Sequence, residues 1–596
     1  MTNQSTEILQ RYQENNGLFF PIDTVQKAFA YSDGDKSEQY LLNAMLEAKD
    51  TSIGSPELKK FIRDWPSHYH LSDFRSNIMR PFKPLLEGKR VLEVGAGCGA
   101  ISRYLTEIGA DLYSVEGSLQ RAKIIQARTR DLPNIHIVVD NIASLDLLGT
   151  FDVVVVIGVL EYSRVYAGGE IPFLEKLKSY CDPENGCMLL AIENQLGLKY
   201  FSGAPEDHLG QPYYGIEERY SVDTPKTFGK RALSKLLGEN GFPYQHWYYP
   251  FPDYKMPSTI FGQEALNGSL PTFDASSMLA LACMSQDGQS ENYQFSLEGS
   301  FQVLNENLLV EDFSNSFMVL SSNSQSAINA SSSQAFAWHY SSDRHKIFQK
   351  ETRFSLLDDG NIFLERKTIN EQKSQTNRDN KNPILFHPGN EKYIQGKNYW
   401  LTLVDIVNKK NWTAQQVSSW AKPWHDKILV ELGATKLDFD SNIDGKYFDA
   451  IPLNLNLDTK NQFSFHALEW TLDEKLSFGQ LLVHGLYTSF CRLSGAAEPN
   501  KNTPIGIIKL IEHVIELLGY SINEPIVTNC IKQELRLDAW IKDSLDIYKP
   551  EGLIDSATSK AINKAIYIRN KEIPQRWTKR IKKKIRRIFG KSRKNP

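Results

Sequence analysis

The stretch Arg90 to Gly99, RVLEVGAGCG, constrains this chain more than any other. A short apolar run (Val91, Leu92, Val94) carries one acid, Glu93, and runs into glycines at alternate positions, Gly95, Gly97 and Gly99. The pattern predicts a buried strand ending in a tight turn, because glycine takes positive φ and lets a ligand approach the backbone. Ala100 to Gly109 is apolar at helical spacing through Ile101, Leu105 and Ile108. The turn therefore opens a helix whose free N–H groups face the ligand.

From Lys89 onward strands and helices alternate. Strands are expected at 91–94, Leu112–Val115, Ile135–Val139, Phe151–Ile157 and Cys187–Ile192, with helices at 100–108, Leu119–Thr129 and Ile171–Tyr180. Such spacing predicts an α/β fold with a parallel sheet covered on both faces and a ligand beyond the carboxyl ends of its strands. Glu116 follows the second strand, about 20 positions after the glycine turn, where an acid accepts hydrogen bonds from ribose hydroxyls. Asp140 and Asn141 follow the third, placed for an adenine edge. Glu93 argues against a pyrophosphate: at an effective dielectric of about 20, two unit charges at roughly 4 Å interact by about 4 kcal/mol. A ligand with a cationic group, an amino acid and a sulfonium, suits it better.

In this order LEVGAGCGAISRYL, SVEGS, VDN and FDVVVVIGVLEYS resemble the motifs of class I S-adenosylmethionine-dependent methyltransferases, over roughly residues 60 to 262. The resemblance implies a Rossmann-like, seven-stranded methyltransferase domain. It puts Glu93, Gly95, Gly97 and Gly99 at the methionine end of S-adenosyl-L-methionine, Glu116 at its ribose, Asp140 and Asn141 at its adenine, and Gly158 to Glu161 beside the sulfonium. Helix Lys230–Asn240 and the aromatic segment Tyr244–Tyr254 resemble the last helix and antiparallel hairpin of that fold.

An acceptor is expected at the polar, aromatic loop Ile192 to Ile216. Methyl transfer needs an in-line approach and, for a hydroxyl acceptor, a base. His208 is the candidate base, with Asp207 or Glu206 orienting it, and Glu193 and Asn194 are further contacts. The loop resembles methyltransferase modules of bacterial surface-polysaccharide (O-antigen) biosynthesis, which implies a sugar or sugar-phosphate acceptor, free or lipid-linked. Two alternatives stand beside this reading: a methyltransferase for a protein or small metabolite, and an interaction protein that recruits a glycan-assembly complex.

The second half reads differently. Residues 263–335 lose periodicity and end in the serine-rich SSNSQSAINASSS, the composition of a linker. A hairpin follows, Lys346–Leu356 and Ile362–Ile369 about Asp358-Asp359-Gly360. Asp449-x-x-Pro452-x-Asn454 resembles the catalytic loop of aminoglycoside and choline kinase-like phosphotransferases, where the Asp positions the hydroxyl and the Asn holds magnesium. That implies ATP and Mg2+, with Lys367 as the phosphate lysine. FHALEW departs from the pattern, offering Glu469 where an aspartate is expected, and no glycine-rich loop precedes the hairpin. The organisation expected is a helical lid at 1–85, a methyltransferase domain at 86–262, a linker region at 263–335, a mixed α+β kinase-like domain at 336–495, a helical region at 496–570 and a basic tail at 571–596.

The net charge of −3 conceals that tail. Arg576 to Lys594 holds eleven Lys or Arg and no acid, which leaves the rest near −14. Trp577, Ile581, Ile585, Ile588 and Phe589 share one helical face among the bases, a pattern that suits an anionic membrane surface rather than nucleic acid. No run of about 20 apolar residues spans a bilayer, and residues 1–13 lack the segments of a signal peptide. The expectation is a cytoplasmic protein, peripheral at the inner face of the membrane. The six cysteines lack disulfide or zinc spacing, and no metal ligand is assigned.

Overall fold

The computed structural model describes residues 7–22, 34–283, 294–330, 334–370 and 384–542. Its centre is one long sheet built from β1 (Tyr12–Asn15), β2 (Leu18–Pro21), β3 (Arg90–Val94), β4 (Asp111–Val115), β5 (Ile135–Val138), β6 (Val153–Ile157), β7 (Cys187–Glu193), β8 (Tyr244–Phe251), β9 (Thr259–Gly262), β10 (Ser316–Ser322), β11 (Ala335–Ser341), β12 (Lys350–Leu356) and β13 (Ile362–Thr368). The strands lie side by side in the order β1-β2-β5-β4-β3-β6-β7-β10-β8-β9-β11-β12-β13, with Glu391–Lys392 at the far edge. From β2 to β7 every pairing is parallel. Burial explains why: β6 reads VVVVI and is buried at every position, as a strand covered on both faces must be.

The crossover helices are Ala100–Glu107, Leu119–Arg128 and Glu170–Tyr180, within one or two residues of their expected bounds. Ser118 caps the second by accepting from the Arg121 N–H. They carry the chain over the sheet and leave the tips of β3, β4, β5 and β6 at one edge.

Two sequence expectations are corrected here. Residues 7–22, taken as part of a helical lid, form the hairpin β1–β2, and Leu18 and Phe19 of β2 pair in parallel with Ile137 and Val138 of β5. The region 263–335, taken as an irregular linker, supplies the helices Ser276–Ala282 and Leu297–Glu306 and the fully buried strand β10. β10 runs antiparallel between β7 and β8, so the boundary expected at residue 262 cuts through the sheet. Its serines concealed it. Ser321 and Ser322 are buried, and the Ser322 hydroxyl donates to the Gly186 carbonyl at 2.7 Å, which removes the cost of burying it.

The hairpin β12–β13 forms in full register from Lys350↔Thr368 to Leu356↔Ile362. A second core follows, in which Trp400, Trp412 and Trp424 pack with helices Ala414–Glu431, Phe478–Cys491 and Ile507–Leu517. The last described helix is Glu524–Ile541. Among the described residues no helix is long and apolar enough to cross a membrane. The basic tail Arg576 to Lys594 lies outside them.

Candidate active site

The tips of β3, β4, β5 and β6 open into one cavity of about 170 Å³. Glu93, Gly95, Gly97, Glu116, Asp140, Asn141 and Gly158 all line it, so residues up to 65 positions apart in sequence meet at a single ligand-sized space. Gly95, Gly97 and Gly99 all take positive φ. At Gly95 an added Cβ would stand 2.6 Å from Val159 Cγ2. At Gly97 it would meet nothing within 4 Å, a gap in the cradle that a ligand can use.

Glu116 accepts from the Gly97 N–H and the Ser118 N–H, both at 2.8 Å, which fixes its carboxylate at the rim of the turn. Asp140 accepts from the Tyr12 hydroxyl at 2.7 Å and from the Ser144 hydroxyl at 2.6 Å. Asn141 is tied to its own turn through the Ala143 N–H. Among the described residues Glu93 accepts from two hydroxyls, Ser102 at 2.6 Å and Ser114 at 3.2 Å. Burial pushes its carboxyl up to about 7, a penalty that a cationic ligand group would relieve.

Sequence reasoning found no chemistry before residue 85, yet Tyr69, His70 and Arg75 line the same cavity. The aromatic run WPSHYH was their signal: Asp64 and Ser67 form a capping box that starts a short helix and turns Tyr69 toward the site. Tyr162 and Tyr166 were also missed.

Glu161 was expected beside the sulfonium. It does not line the cavity but lies behind it, 1 % exposed. There the loop after β7 forms a dense buried ion network. Asp207 pairs with Lys199 at 2.9 Å and Lys255 at 2.8 Å, and it also accepts from Tyr200. Lys255 reaches Glu193 at 2.6 Å. Glu206 accepts from the backbone N–H groups of His208 and Leu209. Asn194 spends its amide on the carbonyls of Asp312 and Ser314. Asp207 and Glu206 thus hold the loop in place rather than orient His208 through its ring. The His208 ring bonds Tyr162 through Nδ1 at 2.9 Å and faces Glu193 at 3.4 Å through Nε2. Burial works against its charge, but Glu193 outweighs that and raises it to about 9. His208 therefore holds its proton at neutral pH, the opposite of what a general base requires.

The second half brings Asp449, Asn454 and Glu469 to a second cavity of about 270 Å³, but not Lys367. Lys367 points outward and pairs with Glu365. Side chains alternate along a strand, and Lys350, opposite Thr368 on the neighbouring strand, fills the interior instead. Glu469 is engaged by Lys350, Arg344 and Arg366. Asp449 accepts from the N–H groups of Glu469 and Trp470 and from the Asn454 amide at 2.8 Å, and burial raises it to about 6.

Comparison with known families bears on the region of the first cavity. Residues 67–247 match the model of a family described as a methyltransferase domain. These residues form a methyltransferase domain. The match begins at the helix that carries Tyr69 and ends within β8, so all the strand tips described above fall inside it. The lining fits S-adenosylmethionine in its chemistry: a glycine cradle, a buried acid at the first strand tip, and further acids at the second and third.

Solved structures similar to the chain include phospholethanolamine N-methyltransferase 2 of Haemonchus contortus (15% identity, TM-score 0.27, covering 42% of this chain and 52% of that one). They also include a SAM-dependent methyltransferase of Thermotoga maritima (13%, 0.25, 43% and 91%) and magnesium protoporphyrin IX methyltransferase of Synechocystis PCC 6803 (19%, 0.23, 30% and 78%). The chain thus spans about half the length of the Haemonchus protein. A search of curated proteins finds no match.

Proposed function

We propose that the first cavity transfers a methyl group from S-adenosylmethionine to a sugar or sugar-phosphate acceptor in surface-polysaccharide assembly. The observation that carries the methyl-transfer reading is the convergence of Glu93, Gly97, Glu116 and Asp140 on one cavity inside the family match. The cofactor supplies an electrophilic methyl group; this chain supplies position. Gly97 leaves room for the ligand, while Glu93 receives its cationic end. Tyr69, Tyr162 and Tyr166 line the same cavity and would wall the acceptor's approach in this reading. The glycan acceptor rests on the resemblance of the loop after β7. The test is transfer of labelled methyl from S-adenosylmethionine to lipid-linked glycan, to total protein and to a metabolite extract. Label in the glycan supports the reading; label only in protein or metabolite overturns the acceptor. Retained assembly function in a Gly97→Asp variant would favour a recruiting role.

A second reading concerns the other half. The meeting of Asp449, Asn454, Glu469 and Lys350 at one cavity favours a kinase-like ligand site. The engagement of Glu469 by three cations favours binding over phosphoryl transfer. Thermal stabilisation by ATP with Mg2+ tests it, since a ligand stabilises by mass action. The basic tail is proposed to dock on anionic membrane, and co-sedimentation with phosphatidylserine vesicles should be lost when residues 571–596 are removed.

A further inference from the structure

Behind the wall of the methyltransferase cavity, four buried polar atoms have no hydrogen-bond partner among the described residues: Oε1 and Oε2 of Glu161, Oε2 of Glu193 and Nε2 of His208. One ligand atom from each of these three side chains lies within 4.8 Å of the other two. Glu161 is 1 % exposed and Glu193 fully buried, so bulk water does not satisfy them. Leaving charged groups in this state is expensive unless something unites them.

The surrounding charges do so only in part: His208 Nε2 faces Glu193 Oε2 at 3.4 Å, and Glu161 is left out. Lys199 is shared by Asp207 and Asp253, and Lys255 by Asp207 and Glu193. Glu161 makes no ion pair with either, and Glu206 is spent on backbone N–H groups. Five carboxylates therefore crowd around two lysines and one histidine, and the four orphaned atoms face each other among them.

We propose that Glu161, Glu193 and His208 form a binding site for one divalent transition-metal ion. Two carboxylate oxygens and one imidazole nitrogen suit Mn2+ or Zn2+ better than Mg2+, which prefers oxygen and keeps its waters. The ion takes the place of the Nε2 proton of His208, which is released to solvent on binding. The support for the ligands is already built. The Tyr162 hydroxyl bonds His208 Nδ1 and sets the ring so that Nε2 faces the carboxylates, while Lys255 and Tyr254 hold the other oxygen of Glu193. The ligands come from three places: the turn after β6, the end of β7 and the loop after it. A bound ion therefore pins that loop to the strand tips, one side chain away from the cavity through Tyr162. The site stands whatever the acceptor is.

The test uses the full chain stripped with a chelator and titrated with MnCl2, free Mn2+ being read by electron paramagnetic resonance. S-adenosylhomocysteine binding is measured alongside, both as a check on folding and as an independent readout of the cofactor cavity. The expected result is saturation at one ion per chain, competed by Zn2+ and not by Mg2+, and weakened more than tenfold in both Glu161→Gln and His208→Gln variants. As a second measurement on the unaltered chain, Mn2+ should slow proteolytic cutting within residues 203–227. Non-saturating Mn2+ uptake, saturation unchanged in both variants, or cutting unaffected by Mn2+ would overturn the proposal, even with S-adenosylhomocysteine bound normally.

Discussion

The hydroxyl of Tyr12 donates to Asp140 Oδ2 across 2.7 Å and accepts from the Asp146 N–H at 2.9 Å. The N-terminal hairpin thereby fixes the acid at the third strand tip, where the nucleoside of the cofactor is expected. A hydrogen bond to a charged group contributes about 1.5–3 kcal/mol, and part of that sum should appear as affinity. A Tyr12→Phe variant should bind S-adenosylhomocysteine about five- to tenfold more weakly by calorimetry. An unchanged Kd would separate the hairpin from the cavity.

Gly95 and Gly97 make opposite demands. An alanine at Gly95 would push its Cβ to 2.6 Å from Val159, so Gly95→Ala should lower the melting temperature and weaken binding together. A side chain at Gly97 meets open space, and its cost to the fold is the strained backbone alone, about 1–2 kcal/mol. Gly97→Val should therefore remain folded by circular dichroism while losing cofactor binding.

Glu93 links binding to pH. Its folded value, about 7, lies above the ordinary carboxyl value, so the native state holds a proton that the unfolded chain has released between those two pH values. This contribution to stability is present below the ordinary value and is lost as pH rises through 7. A Glu93→Gln variant should be more stable than the parent at pH 8, by up to about 3 kcal/mol, and no more stable at pH 4. A cationic ligand favours the ionised form, so binding of S-adenosylhomocysteine near pH 6 should release a proton. Calorimetry in two buffers of different ionisation enthalpy reads it directly.

The parallel part of the fold and the cofactor cavity were legible because each signal was local: VVVVI, the alternate glycines, and acids at fixed distances from strand ends. What was hidden depended on partners distant in sequence. β10 reads as serine-rich coil until the carbonyls of Met188 in β7 and Gly186 just before it accept from the Ser321 and Ser322 hydroxyls. Lys350 and Lys367 both belong to the predicted hairpin, and only pairing register decides which one faces inward. Glu161, Glu193 and His208 were each legible as residues near the reacting end of the site, but that they join in one cluster depends on contacts between three segments.

Lys255 carries two buried carboxylates, Glu193 and Asp207. Removing one partner of a buried pair costs about 3–5 kcal/mol. Lys255→Met should show that loss in urea unfolding, whereas Lys235→Met, which breaks an exposed pair with Glu239, should change stability by less than about 0.5 kcal/mol.

Lys350 and Lys367 separate two accounts of the second half. If its cavity binds a nucleotide through the interior lysine, Lys350→Met should abolish thermal stabilisation by ATP and Mg2+, because Lys350 faces Asp449, Asn454 and Glu469 across that space. Lys367→Met should leave it intact, since its side chain is 59% exposed and pairs with Glu365 on the outer face. The reverse result would mean that a ligand approaches from the outside of the hairpin. Equal retention in both variants would show that neither lysine contacts phosphate, and the stabilisation would then have to arise at a different surface. Lys350→Met also releases Glu469 from its closest cation but leaves Arg344 and Arg366 beside it, so the fold should persist and the ligand response remains readable.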